Sequence, residues 1–391
     1  MNAFLSTIVP AIATTPPPSA PRQLTGGFWL PQASSTNAEN IDATFYFITY
    51  LGYFFFALIL ALLVIFVVKY RQRGREIHPG GPTHHTALEV TWTIIPLLLS
   101  IVIFYIGFKG FLNASTPPLN SYQIDVTAQQ WSWSFKYPNG VQSDDLYIPA
   151  DRPVKLVMRS EDVLHSLFVP DFRVKKDVVP GRYTTLWFNA PEPTGKDSKK
   201  AHHLFCTEYC GKDHSNMNRL VYVLNQAEFD EWAEKERTIV ETYPVEELYF
   251  RYAPKLYKRC ISCHSLDGTA GTGPSWGAHD GLPAIWERTE KGLTKFGDGT
   301  TLKDYIGPGK EYETAEDYIR DSILNPGKHL VAPYGNAMPT FKGQISDKGI
   351  QALIDFMKHL DEFDAKGNYL KPIPPLPAQN ADPKKTANAA R

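Results

Sequence analysis

A chain of 391 residues with 40 Lys and Arg against 41 Asp and Glu carries a formal charge of -1, so no basic surplus marks a nucleic-acid surface. That length accommodates two or three domains at roughly 100–200 residues each. Its four cysteines all fall inside two short metal-binding patterns, and none is left over.

Residues 1–42 read as an N-terminal extracytoplasmic segment. The apolar piece Ala3 to Ala13 has no Lys or Arg ahead of it, which argues against a cleaved secretory signal. The Pro/Ser/Thr-rich run Thr14 to Thr36 predicts an extended, poorly ordered stretch.

Residues 43–112 predict a transmembrane helical hairpin. Ala43 to Val68 and Val90 to Phe108 are uncharged runs that meet or exceed the roughly 18 residues needed to span a bilayer. Lys69, Arg71, Arg73 and Arg75 follow the first run, so the positive-inside rule puts that loop in the cytoplasm and the rest of the chain outside. Glu89 opens the second run, where a carboxylate either complements the helix dipole or loads protons at the membrane edge.

From Tyr122 to Leu224 the pattern changes to short alternating strands, as in Ser121 to Ala128, Pro153 to Arg159 and Tyr183 to Phe188. Turn signals at Pro138-Asn139-Gly140 and Pro180-Gly181 separate them, which predicts an all-β antiparallel sandwich or barrel over residues 120–226. Near its end, Cys206, Cys210, His214 and Met217 are spaced closely enough for one loop to wrap a metal. Soft thiolates with an imidazole and a thioether favour copper; a disulfide or a structural zinc are the alternatives. Two thiolates can bridge two ions, and His165 is the best candidate for the second imidazole. His202 and His203 read as strand residues outside the ligand set.

These segments resemble the CuA domain of subunit II of haem-copper cytochrome c oxidases. The resemblance is carried by Gln130-Trp131-Ser132-Trp133, Asp162-Val163-Leu164-His165, Phe172 to Arg182 and the Cys206 to Met217 loop. The hairpin joins it through Glu89-Val90-Thr91-Trp92 and Pro96. The fold implied is cupredoxin-like and the cofactor a dinuclear copper. The resemblance implies that His165 and His214 each hold one copper and that Cys206 and Cys210 bridge both. Met217 and the Glu208 carbonyl are then the weak ligands, with the Glu208 side chain shared with a magnesium ion at subunit I. Trp131 becomes the surface aromatic where electrons enter, and Glu89 the mouth of a proton channel. Two departures fall where a soluble donor docks: Ser132 stands where the family usually has Tyr, and Pro191 to Ala201 is a polar insert.

Residues 227–245 predict a helical linker, a solvated Glu-rich surface helix, and 246–365 an all-α domain. Cys260, Cys263 and His264 form the Cys-x-x-Cys-His signature of covalent c-type haem, two thiols for thioethers and an imidazole for the iron. Met338 is the expected sixth ligand, with His329 the rival and Met357 a core residue of the last helix, Ser346 to Leu360. Gly271-Thr272-Gly273-Pro274 resembles the class I cytochrome c turn whose Pro carbonyl orients the proximal His. The stretch from Asp280 to Tyr318 has no assigned role, and residues 366–391 predict a disordered tail.

The whole implies subunit II of a proton-pumping cytochrome c oxidase with a fused cytochrome c domain, in a bacterial inner membrane. Its partners would be subunit I, subunit III, membrane lipid and an electron donor: a soluble cytochrome, a blue copper protein or a quinol-oxidising complex. The alternative is a membrane-tethered carrier serving a nitrogen-oxide reductase.

Overall fold

The computed structural model describes residues 27–71, 74, 81, 84–193, 201–269 and 271–374. The expectations for the first 26 residues, for Arg73 and Arg75, for residues 194–200 of the polar insert and for the tail from 375 lie outside them. The chain divides into two compact units: the N-terminal region with residues 171–173 and 188–191, and the remainder.

In the first unit, helices α1 (Ala38–Tyr70) and α2 (Thr86–Ser115) contain the two uncharged runs and extend beyond them. Glu39 in the first turn of α1 and Lys69 in its last complement the helix dipole, so the helix continues past its apolar centre. None of the most apolar stretch of either helix is buried by the rest of the protein, unlike a soluble core helix. Such faces need lipid, and the two helices give the chain two membrane spans. Arg173 also belongs to this unit: its Nε and Nη2 grip Asp42 Oδ1 and Oδ2 at 2.7 and 3.0 Å.

The second unit begins with ten strands: β1 (Tyr122–Gln129), β2 (Ser132–Lys136), β3 (Gln142–Ser143), β4 (Leu146–Pro149), β5 (Val154–Ser160), β6 (His165–Val169), β7 (Val174–Val178), β8 (Thr184–Phe188), β9 (Ala201–Cys206) and β10 (Arg219–Leu224). They make two five-stranded sheets, ordered β3-β2-β1-β5-β8 and β4-β10-β9-β6-β7. The expected antiparallel arrangement needs correction, because β1 pairs with β5 and β4 with β10 in parallel. A strand that leaves one sheet for the other and returns can re-enter beside a parallel neighbour. Alternation supplies the core: in β5, Val154, Leu156, Met158 and Ser160 are buried while the residues between them are not. Trp133 and Phe135 are fully enclosed. Each such aromatic hides about 150–250 Å², a gross gain of roughly 4–6 kcal/mol at about 25 cal/mol per Å².

Helix α3 (Gln226–Thr242) starts on a capping box, with Asn225 Oδ1 accepting from the Glu228 N–H at 2.9 Å and Glu228 Oε2 accepting from the Asn225 N–H at 3.3 Å. It is not the solvated linker expected. Phe229 is buried, and Trp232 stacks on Tyr147 at 4.3 Å, so the helix is fastened to the β domain. Phe229, Trp232 and Ala233 share one face at helical spacing, a stripe hidden in the sequence by the surrounding glutamates.

The C-terminal region contains α4 (Val245–Arg251), α5 (Ala253–Tyr257), α6 (Ile285–Glu290), α7 (Ala315–Leu324) and α8 (Asp347–Lys358). Its core gathers Leu248, Leu256, Tyr257, Ile350, Leu353 and Phe356. The Ser346 hydroxyl caps α8 by accepting from the Gly349 N–H at 3.2 Å. The expected tail also starts too early at 366, because Tyr369 stacks on Phe250 at 5.1 Å and Arg251 donates to the Pro374 carbonyl.

Candidate metal centre

The donor atoms named from the sequence converge at one end of the β domain. His165 opens β6, Cys206 closes β9, and Cys210, His214 and Met217 lie on the loop before β10. Cys206 Sγ lies 3.9 Å from Cys210 Sγ, far beyond a disulfide bond and close enough for both sulfurs to share metal ions. His165 Nδ1 is 3.9 Å from Cys206 Sγ, and His214 Nδ1 is 3.4 Å from Cys210 Sγ. Met217 Sδ stands 3.8 Å from Cys210 Sγ, and the Glu208 carbonyl oxygen 3.3 Å from Cys206 Sγ. Cys206, Cys210, His165 and Met217 are buried, His214 is half-buried, and the Glu208 side chain is exposed. Two central thiolates flanked by two imidazoles, with one thioether and one carbonyl, suit a soft, bridged pair of copper ions.

The electrostatics agree with such a site. Cys206 is held down at about 3, first by the hydrogen bond from Cys210 and then by His165, against the opposing effect of burial. Its neighbour Cys210 is raised, because a second thiolate beside the first is disfavoured and burial adds to the cost. Burial works against a charged His165, but Asp162 and then Cys206 outweigh it and raise its pKa. This pocket is therefore arranged to hold positive charge.

Asp162, Gln130 and Trp133, quoted above only as part of the family resemblance, support the ligands, and Trp131 joins them. Asp162 Oδ1 accepts from His165 Nε2 at 2.9 Å. Gln130 Nε2 and Trp131 Nε1 both donate to the Cys210 carbonyl, at 2.7 and 3.1 Å. Trp133 packs edge-on to His165 with centroids 6.1 Å apart and donates to the Met217 carbonyl at 3.3 Å. Trp131 is buried rather than on the surface as expected, since its indole N–H is spent on the copper loop. Glu89, far from this cluster in sequence, accepts from the His85 N–H at 3.2 Å at the start of α2.

A second site lies in the helical region. A cleft of about 980 Å³, counting its open mouth, is lined by Cys263, His264, Met338, Met357 and His329 among others. Cys260 is buried outside that lining, with Sγ 3.8 Å from the Leu256 carbonyl. His264 Nδ1 donates to the Pro274 carbonyl at 2.7 Å, as the Gly-Pro turn predicts, which leaves Nε2 for the cleft. Burial lowers the His264 pKa and keeps the ring a neutral donor, although the Pro274 bond opposes it. Gly273 backs the ring so closely that a Cβ there would stand 2.6 Å from His264 Cε1. His329 faces the cleft, but its Nε2 lies 3.1 and 3.2 Å from the two Glu311 carboxylate oxygens, which leaves Met338 the freer ligand. The unassigned stretch proves to be cleft wall, through Ile285, Arg288, Thr289 and Thr294. Its Arg288 is buried and donates to the Ser275 carbonyl at 2.8 Å, a placement with no local signal in the sequence. An apolar cleft lined by both a neutral imidazole and a thioether fits haem.

Comparison with known proteins agrees with both sites. The family model for the transmembrane domain of cytochrome c oxidase subunit II matches residues 23–111, and that for its periplasmic domain residues 140–224. The model for cytochrome c matches residues 251–361. Cytochrome c oxidase subunit 2 of Alkalihalophilus pseudofirmus is 30% identical over 313 residues, covering 77% of this chain and 82% of the relative. The Bacillus subtilis protein of that name is 26% identical over 312 residues, 75% of this chain and 81% of its own. A crystal structure of the periplasmic domain of subunit II of cytochrome oxidase of Bradyrhizobium japonicum aligns at 26% identity and a TM-score of 0.29, covering 32% of this chain and 98% of that one. These families imply copper at the thiolate cluster and haem in the cleft. The chain belongs to the cytochrome c oxidase subunit 2 family and carries a cytochrome c domain after its copper domain.

Proposed function

We propose that this chain is the subunit through which electrons reach the oxygen-reducing centre of a proton-pumping oxidase, in a bacterial inner membrane. Cys260, Cys263, His264 and Met338 would hold haem c and the Cys206 to Met217 loop with His165 the dinuclear copper, two groups that would relay electrons from a donor protein toward subunit I. The observation that carries this reading is the convergence of donor atoms from His165, Cys206, Glu208, Cys210, His214 and Met217 on one cluster, with a cleft lined by Cys263, His264 and Met338 in the same unit.

His165 and His214 would each hold one copper, Cys206 and Cys210 would bridge them, and Met217 and the Glu208 carbonyl would complete the set. When bound, the pair shares one electron across two thiolates, so little geometry changes on reduction. The chain's own residues keep that geometry: Gln130 and Trp131 fix the Cys210 carbonyl, Trp133 fixes that of Met217, and Asp162 fixes the His165 ring. Cys260 and Cys263 would hold the haem as thioethers, with His264 and Met338 on the iron.

Fusing the donor to the acceptor replaces diffusional encounter by a high effective concentration. Glu89 would stand at a proton channel of subunit I, and the exposed Glu208 carboxylate at a magnesium ion shared with that subunit. Subunit III and lipid complete the assembly. Trp131 would be the aromatic at which electrons enter, although it is buried here against the Cys210 carbonyl.

The test is purification of the chain from its own membranes. The expected result is co-purification with a haem-containing subunit that consumes oxygen, and loss of that activity in Cys210→Ser while the haem c spectrum persists. A preparation that transfers electrons but contains no oxygen-reducing subunit would sink the reading, and nitrogen-oxide reduction would identify the other class of partner.

A further inference from the structure

Asp144 and Arg259 form a buried ion pair between the copper domain and the cytochrome domain, Arg259 Nε against Asp144 Oδ1. The arginine side chain is 3% exposed and the aspartate 9%, so both charges are withdrawn from water. Asp144 lies in the turn between β3 and β4, and Arg259 immediately precedes Cys260. A second buried contact lies on the Met338 side of the cytochrome domain, where Gln344 Nε2 donates to Gln129 Oε1 at 3.0 Å. Gln129 ends β1 and is followed directly by Gln130 and Trp131, the residues that hold the copper loop. The cytochrome domain is therefore tied down next to each stretch that would hold its haem.

A buried ion pair is a weak source of net stability, because desolvation offsets the attraction. It is a strong source of register. Any other orientation of the two domains leaves a buried charge without its partner, which is costly. A surface contact meant only to raise local concentration needs no such pair, since the covalent linkage already supplies that.

We propose that Asp144 and Arg259 are positioning residues that lock the cytochrome domain in the orientation from which it passes electrons to the copper site. In that step the haem iron loses one electron and the copper pair gains it, with no bond made or broken. The proposal rests on the reading of the two sites as haem c and dinuclear copper.

The test uses the complete oxidase. Haem c is reduced by one electron from a photoexcited ruthenium complex, which a sacrificial amine donor then re-reduces, and the decay of the ferrous band is followed with the rise of the reduced copper signal. Asp144→Ala is expected to slow haem-to-copper transfer by about tenfold or more, since misplacement of reacting groups is costly. The rate should also become dependent on solvent viscosity, because transfer then waits on domain reorientation. The absorption spectra and potentials of both centres stay as they were, and Asp144→Glu restores the rate. An unchanged, viscosity-independent rate in Asp144→Ala with both spectra intact overturns the proposal. If that variant does not assemble, Asp144→Asn, which keeps the volume and removes the charge, is held to the same criteria. Absence of haem-to-copper transfer in the unaltered oxidase overturns instead the functional reading beneath it.

Discussion

Asp162 Oδ1 lies 2.9 Å from His165 Nε2, which turns the opposite nitrogen, Nδ1, to within 3.9 Å of Cys206 Sγ. A carboxylate accepts and does not donate, so Nε2 carries the proton and Nδ1 is left as the metal donor. One acidic residue thereby sets both the tautomer and the direction of the imidazole proposed to hold copper. Gln130 N–H and Val163 N–H, each 2.6 Å from Asp162, hold that carboxylate in turn. Burial raises the Asp162 pKa, yet these bonds and that from His165 bring it below the usual carboxylate value.

Replacing Asp162 by Ala should weaken copper binding by about 10–100-fold, the usual effect of removing an outer partner of a ligating imidazole. Titration against a competing chelator measures it. The haem absorption of the same protein should be unaltered, since Asp162 touches only the copper domain.

Met338 and His329 both line the cleft, and the Glu311 contact to His329 separates them. Met338→Leu should abolish the iron–sulfur charge-transfer band and leave a high-spin or water-ligated haem. His329→Ala should preserve the band. The reverse outcome would assign the sixth ligand to His329.

Gly273→Ala places a methyl group 2.6 Å from His264 Cε1, against a ring already fixed by Pro274. Overpacking of this kind costs about 1–3 kcal/mol. Thermal unfolding of the haem-loaded protein, followed at the haem band, should show the lowered midpoint. An unaltered midpoint would mean that the His264 ring moves freely.

Asp321, on α7, offers a pH test. Burial opposes its ionisation, but Lys328 at 2.8 Å, Tyr312 at 2.6 Å and Asn325 at 2.6 Å outweigh it and lower the carboxyl to about 2. A carboxyl depressed on folding contributes stability that is present above its ordinary value near about 4 and lost as pH falls toward the folded value. Asp321→Asn should therefore flatten the loss of stability between about pH 4 and pH 2. Denaturant unfolding at several pH values reads this directly, and parallel curves for the two proteins would refute it.

The parts of this protein that were legible in the sequence are those in which the chemistry is local. Cys206, Cys210, His214 and Met217 lie within twelve consecutive residues, at the end of β9 and on the loop after it, so their spacing already points to one shared site. Cys260, Cys263 and His264 are likewise a single turn of chain. The membrane helices were legible because apolar residues must run unbroken across lipid. Trp131 was read as exposed because a sequence does not say which indole N–H will be consumed by a carbonyl 79 residues away. The buried stripe of α3 was missed for a similar reason. Three apolar residues among glutamates become a packed face only when Tyr147 is there to receive Trp232.

By itself the sequence determined the ligand types, the two membrane spans and the order of the domains, because each depends on covalent spacing or on composition over a short window. Only the tertiary structure decided which nitrogen of His165 faces the thiolates, which carbonyl holds Trp131, and where Arg259 finds its charge partner 115 residues away. Those outcomes depend on burial. Once a polar group is withdrawn from water it must be paired, and the partner is whichever group the fold brings within reach.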